Sequence, residues 1–318
     1  MSTPFILRFD LRNPAIANTD LADRYAAALD MAEWADRRGC LAVSLSEHHG
    51  SDDGYLPSPF TMAAAVAART STTIIAINAA IAPFHDPLRL AEDIAVVDRI
   101  SRGRLRVTLA GGYAPHEFEM FGVDPAERPA RMREVVDVLR QAWTGEPFEH
   151  RGRTVRVQPT PAQPGGPSIV LGGSSEAAAR RAARIADDFI PSTTECWAHY
   201  RDECLRSGKP DPGPGMSFDA DVVVLAADPD AAWPVIGPYL LHESRAYGAW
   251  NPMAGEGRYV VADDVDQLRT GTQYRILTPD EYAAEVEAEG FAKLHPMVGG
   301  IPPDLAWEHL RLFEERFL

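Results

Sequence analysis

Four short apolar runs, at residues 5–9, 41–46, 73–81 and 105–110, alternate with segments whose apolar residues recur at helical spacing. This alternation is the strongest constraint on the fold. Strand and helix in turn, at short spacing, predict a parallel sheet, because a parallel neighbour is reached only through a crossover. Thr19 or Asp20 can cap a first helix that runs to about Arg38, with Leu21, Tyr25, Ala28, Leu29, Ala32 and Ala35 on one face and Gly39 just past its end. Asp86-Pro87 opens another by cap and first-turn proline, and Gly103 closes it. Asp124-Pro125-Ala126-Glu127 reads as a capping box for a helix that buries Met132, Val135, Val136, Leu139 and Trp143.

The rhythm continues with strands at 168–171 and 188–191, a strand centred on Val222-Val223-Val224, and an eighth at 274–277. Eight strands with intervening helices predict an α/β chain folded as a single (β/α)8 TIM barrel over residues 1–318. Two stretches depart from the rhythm. Residues 146–167 hold a hairpin-like excursion, turning at Arg151-Gly152, and a Pro/Gly-rich connector; they read as an insertion within one domain. Residues 248–272 have little periodicity but carry Trp250, Met253, Tyr259 and Val260-Val261, too much apolar material for a plain linker. They read as a lid, with a surface excursion as the alternative.

Bulk properties narrow the function. A formal charge of -15 argues against nucleic acid and anionic membranes as partners. Cys40, Cys196 and Cys204 form neither a disulfide framework nor a tight metal spacing, so a reducing cytoplasm is the expected location. A strand-like segment begins almost at once, with no basic region ahead of an apolar run, and neither a signal peptide nor a membrane span is expected.

The second strand runs into Ser44-Leu45-Ser46-Glu47-His48-His49. Alternate strand residues face opposite sides. Leu41, Val43 and Leu45 suit a helix layer. Ala42, Ser44 and Ser46 suit a crowded interior, and His48 continues their parity. His48, rather than His49, is therefore the candidate catalytic residue, at the strand end where such barrels place chemistry. A pair of surface loop histidines is the alternative. As a metal site, Glu47-His48-His49 would need ligands from elsewhere; His85 and His116 are the loop candidates, the spacing gives no support, and no metal is expected. Gly172-Gly173-Ser174-Ser175 lies between a strand end and a helix start, where backbone amides, the helix dipole and two hydroxyls can meet a phosphate; an ordinary turn capped by Ser174 is the competing reading. Gly111-Gly112 is a second place where a flat or anionic ligand could approach the backbone. No Walker loop, dinucleotide fingerprint or nucleophile elbow is present.

Together these stretches resemble the bacterial luciferase-like family of flavin-dependent oxidoreductases. The resemblance rests on Glu47-His48-His49, Asn78-Ala79-Ala80-Ile81, the run from His85-Asp86-Pro87 to Asp93, and Asp98-Arg99-Ile100-Ser101-Arg102-Gly103-Arg104. Glu117-Phe118, Phe121-Gly122, Gly172-Gly173-Ser174 and Gly299-Gly300-Ile301-Pro302-Pro303 with Ala306-Trp307 complete it. It implies a (β/α)8 barrel that binds a flavin. His48 matches the family's active-site histidine. Ala79-Ala80 match a pair joined by a non-proline cis peptide beneath the flavin ring, Ala110 matches a position in the isoalloxazine pocket, and Ser174 matches a phosphate-contacting serine.

Two departures stand out. Luciferases carry an arginine at the position of Gly111, where it contacts phosphate; here the phosphate would fall to backbone amides at Gly111, Gly172 and Gly173, to Ser174 and Ser175, and to Arg180 or Arg181. A luciferase cysteine is replaced by Ala110, so light emission is not implied. The resemblance implies a monooxygenase that uses reduced FMN and O2 on a small organic substrate. A separate flavin reductase would supply the cofactor, since no nicotinamide-binding unit is visible, and a homodimer is the expected assembly. The alternatives are a deazaflavin-dependent hydride-transfer enzyme and a non-catalytic flavin-binding homologue.

Overall fold

The computed structural model describes residues 3–215, 221–250 and 261–318. Its strands are β1 (Phe5–Phe9), β2 (Ala42–Leu45), β3 (Ile74–Ile81), β4 (Leu105–Ala110), β5 (Phe148–His150), β6 (Arg153–Val155), β7 (Ile169–Gly173), β8 (Asp188–Pro191), β9 (Val222–Leu225), β10 (Tyr274–Leu277) and β11 (Ala292–Leu294). Its helices are α1 (Leu21–Asp36), α2 (Pro59–Arg69), α3 (Pro87–Ser101), α4 (Pro115–Phe121), α5 (Arg128–Ala142), α6 (Glu176–Ile185), α7 (Thr194–Arg206), α8 (Pro229–Trp250), α9 (Val265–Thr270), α10 (Pro279–Glu289) and α11 (Pro303–Phe317). The fold is mixed α/β, and every strand pair outside the β5–β6 hairpin described here is parallel. No helix among the described residues is long and apolar enough to cross a membrane.

The chain groups into two compact units. Unit one comprises residues 1–57, 68–75 and 220–318. There β2 and β11 flank β1, Ile6 facing Ala42 and Phe5 facing Ala292. Phe5, Leu7 and Phe9 are buried while Ile6 and Arg8 are half-buried; β2 repeats this with Val43 and Leu45 against Ala42 and Ser44. The register sets Leu7 beside Val43 and Phe9 beside Leu45, so the large apolar residues share one face. That face meets helices: the Phe5 ring lies 5.1 Å from Phe313 of α11 and 6.0 Å from Trp34 of α1. Burying side chains of this size contributes roughly 2–3 kcal/mol each. The parity expected of β2 therefore holds at Val43 and Leu45. Leu41 departs from it, 48% exposed, because the strand begins one residue later.

The strand at 274–277 forms, but it does not pair with β1. It pairs with β9, Tyr274 facing Val222. The neighbour of β1 is β11, which the sequence reading missed. Only three residues long with a lysine at its centre, β11 has no strand pattern to detect. It is held partly by Tyr282, whose hydroxyl accepts from Lys293 N at 2.9 Å and donates to Lys293 O at 3.2 Å.

Unit two comprises residues 58–67 and 76–219. There β3, β4, β7 and β8 lie in that order. Asp86 caps α3 by accepting from Leu88 N and Arg89 N. The expected capping box at Asp124 is absent: Asp124 caps a single 3-10 turn at Pro125–Glu127, α5 starts at Arg128, and Glu127 instead pairs with Arg131 at 2.9 Å. The excursion at 146–167 contains the antiparallel β5–β6 hairpin. Its connector is tied to α3, where Asp98 accepts from Gln163 N at 2.9 Å and Gln163 Nε2 at 2.7 Å. Of the stretch read as a lid, the start belongs to α8 and the end to α9; residues 251–260 lie outside those described.

Candidate functional site

The predicted site residues fall into two clusters, one in each unit. In unit one, β1 runs into Asp10-Leu11-Arg12, with Leu11 in the left-handed region at φ 58°. Asp10 accepts from Arg12 N at 3.0 Å and from Gly299 N at 2.9 Å, fixing this strand exit against the turn that precedes α11. The loop after the two histidines folds onto the same exit: Leu56 N donates to Asp10 O, Asn13 N to Asp53 O, and His48 N to Leu56 O.

These bonds place Asp53 against Arg12. Arg12 Nη1 donates to Asp53 Oδ2 at 2.5 Å, and His242 Nε2 lies 2.6 Å from that oxygen. Asp53 Oδ1 accepts from Ser51 Oγ and from Tyr55 N. Burial opposes charge on Asp53, but the bond from His242, the charge of Arg12 and the bond from Ser51 outweigh it and hold the carboxyl well below its usual range. Burial likewise opposes the Arg12 charge, and the surrounding Tyr247, Asp53 and Asp10 reverse the effect, so Arg12 stays a cation. Its guanidinium stands over three rings, 4.5 Å from the centroid of Trp250, 4.7 Å from Tyr55 and 5.0 Å from Tyr247. Such contacts are worth about 0.5–2 kcal/mol each where water is excluded.

The same rings surround His48. Its imidazole lies 4.6 Å from Trp250, 4.8 Å from Tyr55 and 5.9 Å from Tyr247. Tyr55 and Tyr247 hydroxyls meet at 3.2 Å, and Arg8 Nη2 donates to Tyr247 Oη at 2.9 Å. His49 Nε2 lies 3.0 Å from Glu47 Oε1. Glu243, fully buried on α8, lies 3.8 Å from Arg8. Burial, aided by Asp10 and opposed by Arg8, Arg12 and a bond from Tyr274, pushes its carboxyl up to about 7.

In unit two, Thr108 Oγ1 donates to Asn78 Oδ1 at 2.8 Å, tying β4 to β3. A cis peptide is present, but it joins Asn78 to Ala79, one residue before the Ala79-Ala80 pair that the resemblance pointed to. Ala80 is fully buried; Ala79, Ala110, Gly111 and Gly172 are half-buried. The strand ends are floored by small residues. A Cβ at Gly111 would approach only Arg128 Cδ at 3.9 Å, and one at Gly172 would meet Thr108 Cγ2 at 3.4 Å and Ala110 Cβ at 3.8 Å. A Cβ at Gly173 would stand 2.6 Å from Ala178 Cβ of α6, so a side chain is excluded there by packing.

The glycine pair belongs to β7 rather than to the turn. Ser175, not Ser174, caps α6, accepting from Ala178 N at 3.3 Å; Ser174 is exposed beside it. Of the two candidate arginines, Arg180 is engaged with Glu176 at 2.7 Å and Glu203 at 3.1 Å. Among the described residues Arg181 has no carboxylate partner, and its buried Nε has no hydrogen-bond acceptor. Burial lowers its pKa, and the nearby charges of Arg133 and Arg128 lower it further. No group of three or more His, Cys, Asp or Glu residues able to hold a metal occurs among the described residues.

The sequence reading did not single out Arg12, Asp53, Tyr55, His242 or Tyr247. Arg12 carries a usable signal, a charged residue directly after a strand end, as does Asp53 in the loop that follows the histidines.

Parallel strands with helices, a buried histidine past the end of β2, and small residues flooring the ends of β4 and β7 define a class of α/β protein that places its chemistry at strand ends. The chain belongs to the luciferase-like monooxygenase family, which it matches over residues 5–292. It is 31% identical over 142 residues to the oxygenase component of the flavin-dependent trigonelline monooxygenase of Acinetobacter baylyi, a stretch covering 44% of this chain and 39% of that protein. The chain spans about two fifths of the length of the first curated relatives it matches, 38% and 39%. Among solved structures it is similar to a monooxygenase from Streptomyces bottropensis, with a TM-score of 0.75 and 25% identity over 99% of this chain and 98% of that one. The oxygenating constituent of a 3,6-diketocamphane monooxygenase from Pseudomonas putida, solved with FMN, shares the fold at a TM-score of 0.69 and 19% identity, over 100% and 98% of the two chains.

Proposed function

We propose that the protein is a flavin-dependent monooxygenase that uses reduced FMN and molecular oxygen to oxygenate a small organic substrate, with the reduced flavin supplied by a separate reductase. The observation that carries this reading is His48, an imidazole past a strand end among Tyr55, Tyr247 and Trp250. Such surroundings keep water from reactive oxygen chemistry and strengthen any hydrogen bond that the imidazole makes.

The residues of unit two fit a flavin. Gly111 and Gly172 leave the ends of β4 and β7 without side chains, next to Ala110 and Thr108. Arg181 holds a buried Nε that lacks an acceptor among the described residues, a donor that an anion would satisfy. We assign Ala79, Ala80, Ala110, Gly111 and Gly172 to the ring system, and Gly173, Ser174 and Ser175 to the phosphate end. When bound, the reduced flavin activates oxygen for transfer to the substrate. His48 holds or moves a proton at an imidazole nitrogen. Tyr55 and Tyr247 keep its ring in place, and the Arg12–Asp53–His242 network keeps those tyrosines in place. The closed (β/α)8 barrel as one domain, the homodimer and the cytoplasmic location belong to the same proposal; they rest on family resemblance and cysteine usage.

The test is anaerobic titration of the protein with reduced FMN and with the reduced deazaflavin coenzyme, followed by oxygen and a panel of small substrates. Uptake of reduced FMN and an oxygenated product are expected. Uptake of the deazaflavin alone would overturn the oxygenase assignment, and flavin uptake without turnover on any substrate would favour a binding protein.

A further inference from the structure

Arg8 lies on β1 and reaches α8. It faces Ser44 across the β1–β2 pair and is half-buried. Opposite it, α8 presents Glu243 and Tyr247, four residues apart and so on one face of the helix. One nitrogen serves both. Arg8 Nη2 donates to Tyr247 Oη at 2.9 Å and lies 3.8 Å from Glu243 Oε1. The first contact is a hydrogen bond and the second is not. A guanidinium–carboxylate bond closes at about 2.7–2.9 Å, so a movement of about 1 Å exchanges one partner for the other.

The charge on Glu243 decides the exchange. A guanidinium only donates, and a buried carboxylate attracts it more strongly than a phenol does, because little water screens the pair. Burial is the largest influence on Glu243 and disfavours its charge. Arg8 and Arg12 from the β1 end and a bond from Tyr274 of β10 favour the charge, and Asp10 opposes it. The balance sets the carboxyl at about 7, so both forms occur near neutrality. A side chain kept only to fill this space would be better apolar, since a buried acid costs stability whenever it ionises.

Tyr247 carries the change to His48. Its hydroxyl meets that of Tyr55 at 3.2 Å, and the two rings stand 5.9 and 4.8 Å from the His48 imidazole. Hydrogen bonds joined in a chain polarise one another, so a cation donating at one end strengthens the next bond. We propose that Glu243 is a positioning residue of the His48 site: protonated, it leaves Arg8 on Tyr247; ionised, it draws Arg8 to itself, and the Tyr247–Tyr55 hydroxyl pair beside His48 loses its cationic donor. The effect on turnover rests on the oxygenase reading; the exchange of bonds does not.

Nuclear magnetic resonance of protein isotope-labelled at tyrosine Cζ, with Tyr247→Phe assigning the signal, reports the exchange. In the wild type the Tyr247 signal moves as pH passes about 7. Glu243→Gln and Arg8→Met each abolish that movement, while Arg8→Lys keeps it, because lysine retains the charge. Steady-state oxygenation by the wild type falls roughly tenfold between about pH 6 and about pH 8.5, and Glu243→Gln holds its acid-side turnover to within about twofold over that range. Where Arg8→Met does not fold, Glu243→Gln decides, since it removes a destabilising charge. A Tyr247 signal that still titrates in Glu243→Gln assigns the change to another group, such as His242 or His48, and overturns the proposal. A wild-type signal that stays flat through neutrality, or an alkaline fall in turnover that is the same in Glu243→Gln, also overturns it. A titrating signal that is lost in Glu243→Gln, in a protein that oxygenates no substrate, upholds the exchange of bonds and defeats the oxygenase reading.

Discussion

Glu243→Gln isolates an ionisation that the fold suppresses. Glu243 is buried on α8, facing Arg8, Asp10 and Arg12 from the β1 end and Tyr274 from β10. Its carboxyl is pushed from 4.5 up to about 7, chiefly by burial. The unfolded chain therefore ionises this group at lower pH than the folded one. Below pH 4.5 both states hold the proton and the group costs nothing. As pH rises toward about 7 the unfolded state gains charge while the folded state does not, and stability is lost; above that range the loss is constant. At 1.36 kcal/mol per unit, the full penalty is on the order of 3 kcal/mol. Glutamine keeps the shape of the protonated acid and never ionises. The variant should match the wild type in acid and exceed it by about 3 kcal/mol above neutrality, read from urea unfolding at a series of pH values. The infrared C=O band of this protonated carboxylic acid should persist in the folded wild type through that interval, fade around pH 7, and be absent from the variant. A stability difference that does not change with pH, or a wild type more stable than the variant at alkaline pH, would refute the argument: Arg8 and Arg12 would then hold Glu243 ionised.

His48→Ala should lower turnover by roughly 10²–10⁴-fold while flavin affinity stays within about tenfold, measured by single-turnover kinetics and anaerobic titration. Full activity would make the histidine structural. Asp53→Asn replaces the 2.5 Å pair of the buried Arg12 and leaves it Asp10, 3.9 Å from its Nε, so it should cost up to roughly 3–5 kcal/mol at neutral pH in denaturant unfolding. Because the Asp53 carboxyl is held below its usual range, its contribution is complete above the unfolded pKa and disappears as pH falls through the folded one; the gap to the variant should therefore close in acid, and a gap that widened there would contradict the assignment.

The strand positions were legible because one buried face opposite a half-buried one leaves an alternating pattern even in four residues. In β2 the pattern located Val43 and Leu45 on the helix side. β11 was not legible, because three residues around Lys293 offer no period, and its place beside β1 is set by pairing across more than 280 residues of sequence. The capping box at Asp124 misled for a related reason. The sequence contains every residue of the motif, but Pro125 suits a 3-10 turn equally well, and Glu127 finds Arg131 one helical turn on.

The site divides along the same physical line. The candidacy of His48 comes from local sequence alone, by continuing the alternation of β2 past its last strand residue, Leu45. The residues that give His48 its surroundings arrive from segments that no local rule connects: Tyr55 from a loop, Tyr247 and Trp250 from the far end of α8. Arg12 explains why they converge. A buried cation needs a carboxylate and tolerates ring faces, and the exit of β1 presents that cation where both can reach it. Asp53 and three aromatic rings are thus held by one charge, and His242 closes the set from α8 through the same carboxylate oxygen. Removing the charge at Arg12 should therefore disturb His48 although no bond between the two is involved. Arg12→Met keeps the apolar volume, so a loss of turnover accompanied by restored activity in an Arg12→Lys variant would assign the effect to charge, whereas equal loss in both would assign it to the planar guanidinium and its stacking on the rings.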